Sequence, residues 1–227
     1  MNAKTKFIVW DWNGTLLDNL HLCIASFNAA ITKVGKPELD TLTFQNTYGF
    51  PLENFFMQNG FSTDEYNREK MNILNIFHDS YELGITSVGF CAGAEEILRT
   101  ARGKGIHHII LSNHLIPSIC ELLDRFEARH FFWDILAHEN RESQRRLLPK
   151  GERIKIFMQH HELFAENGII VGDTPEETHI ARDTGLTSVA ITGGFATEER
   201  LREASPDYVL HSLTEMPAVL RERGFVT

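Results

Sequence analysis

Carboxyl, hydroxyl and amide side chains occur in three short clusters, and each cluster directly follows a mostly apolar run. The clusters contain Asp11 and Asn13, then Ser112 and Asn113, and finally Asp173, Thr174 and Glu177. If folding gathered these groups, the carboxylates would repel one another unless a hard cation lay between them. Mg²⁺ suits such a site, because it takes oxygen ligands and keeps several water molecules. A carboxylate there could also act as a nucleophile.

The apolar runs before these clusters predict buried strands of a parallel sheet. Strand candidates occupy residues 7–10, 106–111, 132–137, 168–171, 187–191 and 208–210. Helical segments lie between them, and this alternation implies parallel strands joined by right-handed crossovers. We therefore predict an α/β fold with a Rossmann-like, doubly wound parallel sheet. The carboxyl ends of its strands can converge on one crevice, which would bring the three clusters together.

The segment after the first strand has a different pattern, which is helical and contains no strand candidate. Leu20, Ile24 and Phe27 recur at helical spacing, and further amphipathic runs continue to about residue 84. Residues 88–93 form a small-residue linker before the next predicted helix. We therefore predict two units, a Rossmann-like core formed by residues 1–17 and 87–227, and an inserted all-helical cap formed by residues 18–86.

The overall composition limits the compartment and the partners. The 227 residues carry a net charge of −9, which argues against a nucleic-acid-binding surface. No apolar run approaches the roughly 18 residues that span a bilayer, so we expect no membrane partner. The three cysteines are widely spaced without a metal-binding pattern, which is typical of reduced thiols in a cytoplasmic protein. A homodimer is left open.

The sequence Asp-Trp-Asn-Gly-Thr-Leu-Leu-Asp at residues 11–18 resembles the first motif of the haloacid dehalogenase-like hydrolases, Asp-x-Asp-Gly-Thr. Most members of that superfamily are phosphatases. The resemblance implies that Asp11 is a nucleophile that becomes phosphorylated and that Mg²⁺ bridges it to the phosphate. Gly14 and Thr15 are then expected to contact the phosphate. The sequence departs from the motif at Asn13, whose backbone carbonyl remains an expected metal ligand.

The later clusters resemble other motifs of the same family. Ser112 matches the hydroxyl that hydrogen-bonds the transferring phosphate, and Asn113 follows it as in many members. The Gly-Asp-Thr-Pro-Glu-Glu sequence at 172–177 resembles the acidic motif, which implies that Asp173 is a metal ligand and that Glu177 is a ligand or a supporting carboxylate. Residues 181–194 are similar to phosphoglycolate phosphatase-like members. Tyr48 lies in a segment that resembles their substrate-facing cap loop.

The family also uses a lysine that neutralises the phosphate and the nucleophile. Lys150, upstream of Asp173, is the preferred candidate and stands just before a helix predicted over residues 154–164. Lys155 is the competing candidate, but it lies inside that helix. Three arginines precede this lysine and could attract an anionic substrate, namely Arg141, Arg145 and Arg146. A solvated loop is the simpler interpretation of these residues.

Asn13 determines which mechanisms remain open. The usual aspartate at this position protonates the leaving oxygen, whereas an amide has no titratable proton near neutral pH. The substrate could carry a good leaving group, as aryl and acyl phosphates do. Alternatively the cap could supply an acid or base, for which the candidates are His21, Glu53 and His78. A phosphonate-cleaving relative would instead need a cap lysine, for which the candidates are Lys33, Lys36 and Lys70.

These observations together predict an Mg²⁺-dependent phosphatase that acts on a small phosphorylated metabolite through an aspartyl-phosphate on Asp11. The alternative is a module that binds a phosphometabolite, or that accepts phosphate on Asp11 and releases it slowly. Slow release would follow from the missing base at Asn13.

Overall fold

A parallel six-stranded sheet forms the centre of the protein. The computed structural model describes residues 5–142 and 148–226. The sheet has the order β5-β4-β1-β6-β7-β8, and every neighbouring pair is parallel. Its strands are β1 (Phe7–Trp10), β4 (His107–Leu115), β5 (Phe132–His138), β6 (Gly168–Gly172), β7 (Thr187–Ile191) and β8 (Tyr208–Leu210). The predicted doubly wound α/β fold is confirmed.

Strand β1 is central, and both of its faces are buried. Alternate side chains of a strand point to opposite faces, so Ile8 and Trp10 pack in one hydrophobic cluster while Phe7 and Val9 pack in another. None of these four side chains is accessible to solvent. The continuous apolar run in the sequence therefore reflects burial on two sides, as expected for a parallel sheet covered by helices.

Helices cover both faces of this sheet. Helices α5 (Ala94–Gly103), α6 (Ile116–Arg125) and α10 (Met216–Glu222) contribute to the cluster that contains Trp10. Helices α7 (Lys150–His160) and α8 (Pro175–Thr184) contribute to the cluster that contains Val9. A short helix, α9 (Glu198–Glu203), precedes β8. Among the described helices, none is both long enough and apolar enough to cross a bilayer.

Four further helices form a separate hydrophobic cluster beside the sheet. They are α1 (Leu20–Lys33), α2 (Thr41–Thr47), α3 (Leu52–Gln58) and α4 (Thr63–Gly84). We call these four helices the cap helices, or the cap. Helix α4 begins with a capping box, in which Ser62 and Glu65 satisfy each other's backbone N–H groups. Phe27, Phe44 and Phe55 lie at the centre of this cluster, which Phe195 joins from the sheet side. The extent predicted for a cap domain, residues 18–86, stays a prediction.

A short ribbon joins the helical cluster to the sheet. Strands β2 (Leu17–Asp18) and β3 (Gly89–Phe90) pair antiparallel, so the outgoing and returning chain segments lie side by side. The expectation of a purely helical segment from residue 18 and of a simple linker at 88–93 was wrong here. Two residue pairs are too short to show strand periodicity in a sequence.

Two other boundaries differ from the prediction. Strand β4 runs to Leu115 instead of ending before Ser112, and its pairing with β5 shifts register between Leu111 and Leu115. Helix α7 begins at Lys150 and ends at His160, so Lys150 is its first residue instead of preceding it. The polar first turn of α7 carries no apolar periodicity, which is why the pattern starts only at Ile154.

Candidate active site

Asp11 follows β1 immediately, at the edge of the sheet where the carboxyl ends of the strands meet. Its backbone N–H donates to the carbonyl of Val171 at 2.9 Å, which continues the pairing with β6. The chain then turns at Gly14, which has a φ of 74°. A Cβ at Gly14 would lie only 2.2 Å from Oδ2 of Asp173. Only glycine therefore allows the Asp11 loop to pass this close to the acidic residue after β6.

Asp173 is fully buried and is held at both carboxylate oxygens. The Thr15 hydroxyl donates to Oδ1 at 2.8 Å, and the Phe195 N–H donates to Oδ2 at 2.6 Å. Burial raises the pKa of Asp173 well above its usual value, and repulsion from the Asp11 carboxylate raises it further. The first and third clusters therefore meet, as the sheet topology requires.

Lys150 links the nucleophile candidate to the acidic motif. Its Nζ lies 2.7 Å from Oδ1 of Asp11 and 2.7 Å from Oε1 of Glu177. The side chain of Lys150 is only 5% exposed, so these are buried ion pairs. Lys155, the competing candidate, instead pairs with Glu152 at 3.2 Å near the surface. The structure thus brings Lys150, and not Lys155, to Asp11.

The charges of this group depend on one another. Burial disfavours the ammonium of Lys150, but attraction to Asp11 and to the acidic pair Glu176 and Glu177 outweighs it and raises the lysine pKa well above its usual value. Burial likewise raises the pKa of Asp11, while the charge of Lys150 opposes that shift. The ammonium therefore stabilises Asp11 in the ionised form that a nucleophile requires.

Both carboxylate oxygens of Glu177 accept hydrogen bonds within the protein. Oε1 accepts from Lys150 and Oε2 accepts from the Thr174 hydroxyl at 2.7 Å. Glu177 is itself buried. Of the two roles implied by the resemblance, this geometry favours the supporting carboxylate, which fixes Lys150 against Asp11.

Ser112 and Asn113 lie in the irregular part of β4, where the register shift turns the backbone beside the cavity. Arg153, which the sequence analysis did not identify, anchors both residues. Its guanidinium donates to the Ser112 carbonyl at 2.6 Å, to Oδ1 of Asn113 at 2.6 Å and to the Leu136 carbonyl of β5 at 2.7 Å. Its spacing of three residues from Lys150, on the same helix, was the available signal.

Asn13 is held by a residue that the sequence analysis also missed. Oδ1 of Asn13 accepts a hydrogen bond from Nδ2 of Asn19 at 2.9 Å. Asn19 is almost completely buried, and it also donates to the Tyr81 hydroxyl at 2.7 Å and accepts from the Gly14 N–H at 3.0 Å. This network fixes the amide of Asn13 and connects the Asp11 loop to the cap helix α4.

The residues expected to bind substrate divide into two groups. Tyr48 and Asn113 line the same cavity as Asp11. Thr15 is fully buried and donates to Asp173, while the N–H of Gly14 donates to Asn19 and to the Leu17 carbonyl. Gly14 and Thr15 are not among the residues that line the cavity, so the structure gives them the role of holding the loop and Asp173.

A cavity of about 620 Å³ lies between the sheet and the four cap helices. The sheet side contributes Asp11, Asn13, Ser112, Asn113, His114, Arg141, Lys150, Thr174, Glu176, His179, Phe195 and Arg200. The cap side contributes mainly aromatic and aliphatic side chains, including Phe27, Tyr48, Phe50, Leu52, Tyr66, Met71, Leu74, Phe77 and Tyr81. Of the three arginines considered above, Arg145 and Arg146 lie outside the described residues.

The carboxylates of Asp11 and Asp173 fit a divalent cation that keeps several waters. They follow neighbouring strands, both are buried, and repulsion from Asp11 raises the pKa of Asp173. An intervening cation would remove this repulsion. Within the described residues, no three His, Cys, Asp or Glu side chains form a complete metal-binding group. Mg²⁺ is usually bound through one or two carboxylates and keeps several waters, so the pair Asp11 and Asp173 suits it.

The comparison with known proteins agrees with this fold. The family model described as haloacid dehalogenase-like hydrolase matches residues 8–191. The chain belongs to the haloacid dehalogenase-like hydrolases. A solved haloacid dehalogenase-like hydrolase from Streptococcus pneumoniae is 25% identical, with a TM-score of 0.80, and the match covers 96% of this chain and 100% of that one.

Similar relatives place the chain among the phosphatases of this family. A phosphoglycolate phosphatase from Vibrio parahaemolyticus is 21% identical over 95% of this chain and 96% of its own length. A 5′-nucleotidase from Pseudomonas aeruginosa is 26% identical over 94% of each chain. These matches confirm the predicted phosphoglycolate phosphatase-like branch and the enzyme class, a haloacid dehalogenase-type phosphatase.

Proposed function

We propose that the protein is an Mg²⁺-dependent phosphatase that hydrolyses a small phosphorylated metabolite through an aspartyl-phosphate on Asp11. The main observation in support is the buried pairing of Asp11 with Lys150, both of which line the cavity. A carboxylate held ionised by a neighbouring ammonium is suited to attack phosphorus. The same ammonium attracts the phosphoryl group.

Each remaining polar residue has a defined part in this proposal. The Ser112 hydroxyl, which lines the cavity, donates to a phosphoryl oxygen. Lys150 holds one oxygen of Asp11 and neutralises charge on the phosphoryl oxygens, while Glu177 keeps the lysine in place. Thr15 and the Phe195 N–H orient Asp173. Arg153 keeps Ser112 and Asn113 at the cavity wall.

Mg²⁺ is the cofactor in this proposal. The carboxylates of Asp11 and Asp173 and the backbone carbonyl of Asn13 would hold Mg²⁺. When bound, the cation supplies positive charge next to the phosphoryl oxygens. We expect turnover to disappear with EDTA and to return with added Mg²⁺, and we expect Asp173→Asn to raise the Mg²⁺ concentration needed for half-maximal rate.

Replacement of Asp11 tests the proposal directly. Asp11→Asn preserves shape and removes the charged nucleophile, so we expect hydrolysis of p-nitrophenyl phosphate to fall by at least about 10³-fold. Asp18→Asn is the matched control, because Asp18 is an exposed carboxylate seven positions along the same segment. Acid-quenched wild type should carry covalent phosphate that hydroxylamine releases, and Asp11→Asn should not.

Unchanged turnover in Asp11→Asn would refute the proposal. A single stoichiometric release of p-nitrophenol, followed by stable phosphoprotein, would instead support the phosphoacceptor alternative. That alternative draws on Asn13, whose amide cannot deprotonate the water that attacks the aspartyl-phosphate. We favour the phosphatase, since positioning and charge stabilisation remain when general acid–base catalysis, worth about 10²–10⁴-fold, is lost.

A phosphonate-cleaving activity receives no support from the cap, which lies wholly within the described residues. Lys33, Lys36 and Lys70 do not line the cavity. Lys36 instead pairs with Glu65 at 3.0 Å, and neither residue lines the cavity. Of the proposed acid–base substitutes, Glu53 and His78 line the cavity and His21 does not.

The compartment and the partners complete the proposal. Cys23, Cys91 and Cys120 are free thiols, which supports a reducing, cytoplasmic location. Phosphoglycolate and nucleotides are named for relatives of this chain, and both are small phosphorylated metabolites. The homodimer stays a prediction, for which light scattering of the purified protein is the measurement.

A further inference from the structure

The cap side of the cavity is apolar over a continuous surface. Met71, Leu74, Phe77 and Tyr81 of α4 all line it, and their spacing of three or four residues places them on one face of that helix. We call this surface the α4 face. Phe27 of α1 lines the cavity beside it, with its ring centroid 4.5 Å from that of Phe77. A ligand bound to Asp11 would therefore extend towards aromatic and aliphatic side chains.

The cavity offers little to a second anionic group. Lys150 is engaged by two carboxylates, and Arg200 donates to the backbone carbonyls of Gln45 and Tyr48. The cap contributes no lysine or arginine to the lining, and its charged lining residue is the acidic Glu53. A carboxylate enclosed against the α4 face would lose its hydration without gaining a cation from the cap, which is costly.

Among the described residues, Arg141 and Arg200 also bring positive charge to the cavity. Arg141 lines the cavity but is exposed to solvent. His114 lies inside, and burial lowers its pKa to about 4, so it is neutral near pH 7. Arg141 and Arg200 are therefore the described residues on which a doubly anionic substrate such as phosphoglycolate would depend.

Cavity size also favours a larger substrate. Phosphoglycolate carries only two carbon atoms beyond its phosphate, whereas about 620 Å³ is in the range of pockets that enclose drug-sized organic ligands. A small polar substrate would leave most of the α4 face in contact with water. A bicyclic aromatic group would cover it.

Asn13 independently limits the leaving group. With an amide at this position, the departing oxygen receives no proton from the side chain beside Asp11. An aryl oxide leaves readily without one, because a phenol has a pKa of about 10, like the tyrosine side chain. An alkoxide is about as basic as hydroxide and leaves poorly. The missing acid at Asn13 and the apolar surface of the cap therefore both favour an aryl oxide as the leaving group.

We propose that the substrate is a phosphate monoester of an apolar phenol-type group, with the aromatic part against the α4 face and the phosphate at Asp11. This inference rests on the proposed phosphatase function. The Asp11 carboxylate attacks phosphorus, the bond from phosphorus to the aryl oxygen breaks, and the aryl oxide takes a proton from solvent. Water then attacks the phosphorus of the aspartyl-phosphate, which releases inorganic phosphate and restores Asp11.

A panel of four substrates tests this assignment by kcat/KM. It comprises 2-naphthyl phosphate, phenyl phosphate, acetyl phosphate and 2-phosphoglycolate. We expect 2-naphthyl phosphate to exceed 2-phosphoglycolate by at least 100-fold. We also expect it to exceed phenyl phosphate by about tenfold, since their leaving groups are similar and the second ring adds only apolar contact.

Paired variants of α4 locate the contact. Leu74→Asp places a charge in the α4 face and should lower the ratio of 2-naphthyl to acetyl phosphate turnover by at least tenfold. Leu83→Asp is the control on the same helix, because Leu83 is 85% exposed and does not line the cavity. It should leave that ratio unchanged. Circular dichroism melting of both variants verifies that the fold is retained.

Three outcomes would overturn the inference. One is a preference for 2-phosphoglycolate over 2-naphthyl phosphate, which would mean that Arg141 or Arg200 binds a second anion. Another is equal turnover of the naphthyl and phenyl esters together with an unchanged ratio in Leu74→Asp. Turnover of acetyl phosphate alone would refute the aryl assignment but retain the phosphatase. No turnover and no phosphoprotein with any ester would refute the proposed function itself.

Discussion

Restoring a carboxylic acid with Asn13→Asp should extend catalysis to poor leaving groups. Aspartate has the shape of asparagine, and one of its oxygens can keep the 2.9 Å hydrogen bond from Asn19. Asn19 is itself fixed by Gly14 and Tyr81, so the new carboxyl group should adopt the orientation of the present amide. Its second oxygen then takes the place of the amide nitrogen beside the cavity.

The expected gain follows from the value of general acid catalysis. A positioned acid contributes about 10²–10⁴-fold, or about 3–5 kcal/mol of transition-state stabilisation, when the leaving group needs a proton. We expect a gain of this size for propyl phosphate and little gain for 2-naphthyl phosphate. The new carboxyl group lies near Asp11, and this repulsion should raise its pKa. Because its protonated form is the acid, the gain should decrease as pH rises.

The assay is the ratio of kcat/KM for propyl phosphate to that for 2-naphthyl phosphate, measured from pH 5.5 to 8. Asn75→Asp is the matched control, since Asn75 also lines the cavity and the substitution adds the same charge there. A ratio that stays at the wild-type value in Asn13→Asp would refute the argument from the missing acid. An equal rise in Asn75→Asp would also refute it, because added charge alone would then be sufficient.

Three further predictions concern the buried and bridging groups. Lys150→Met leaves Asp11 and Glu177 buried without their cation, so urea unfolding at pH 7 should show a loss of about 3–5 kcal/mol; a loss below 1 kcal/mol would contradict the buried ion pairs. His108 accepts from Trp10 and has a pKa lowered to about 4 by burial. The unfolded chain therefore binds the proton first, so the contribution of His108 to stability should fall by up to roughly 3 kcal/mol as pH drops from 6.5 to 4, and the pH profile of His108→Gln should lack that fall. Arg200→Ala removes the hydrogen bonds that join the sheet side to two cap carbonyls, so it should raise KM more than it lowers kcat. An unchanged KM would argue against this bridging role of Arg200.

The positions of the main site residues could be predicted because they depend on strand order and strand ends. Asp11, Ser112 and Asp173 each follow or interrupt a buried strand, and β4, β1 and β6 are neighbours in the sheet. A parallel doubly wound sheet brings such ends together whatever the surrounding detail. Lys150 needed the family resemblance, because a buried lysine and a surface lysine look alike in a sequence.

The supporting residues could not be predicted, because their partners are distant in the chain. Thr15 is 158 positions from Asp173, and no local pattern indicates that its hydroxyl donates there. The expectation that Thr15 contacts phosphate came from its place in the motif. Arg153 and Asn19 act in the same way, by holding other polar groups instead of facing the cavity. Contacts of this kind depend on tertiary packing and leave no periodicity to detect.

The ribbon of β2 and β3 has a consequence for how this enzyme can change. Asp18 pairs with Gly89, so the four cap helices form an insertion whose two ends lie side by side. A lid transplanted between residues 20 and 88 would keep Asn19 and its hydrogen bond to Asn13 while replacing the apolar wall of the cavity. The two walls of the cavity could thus be varied largely independently.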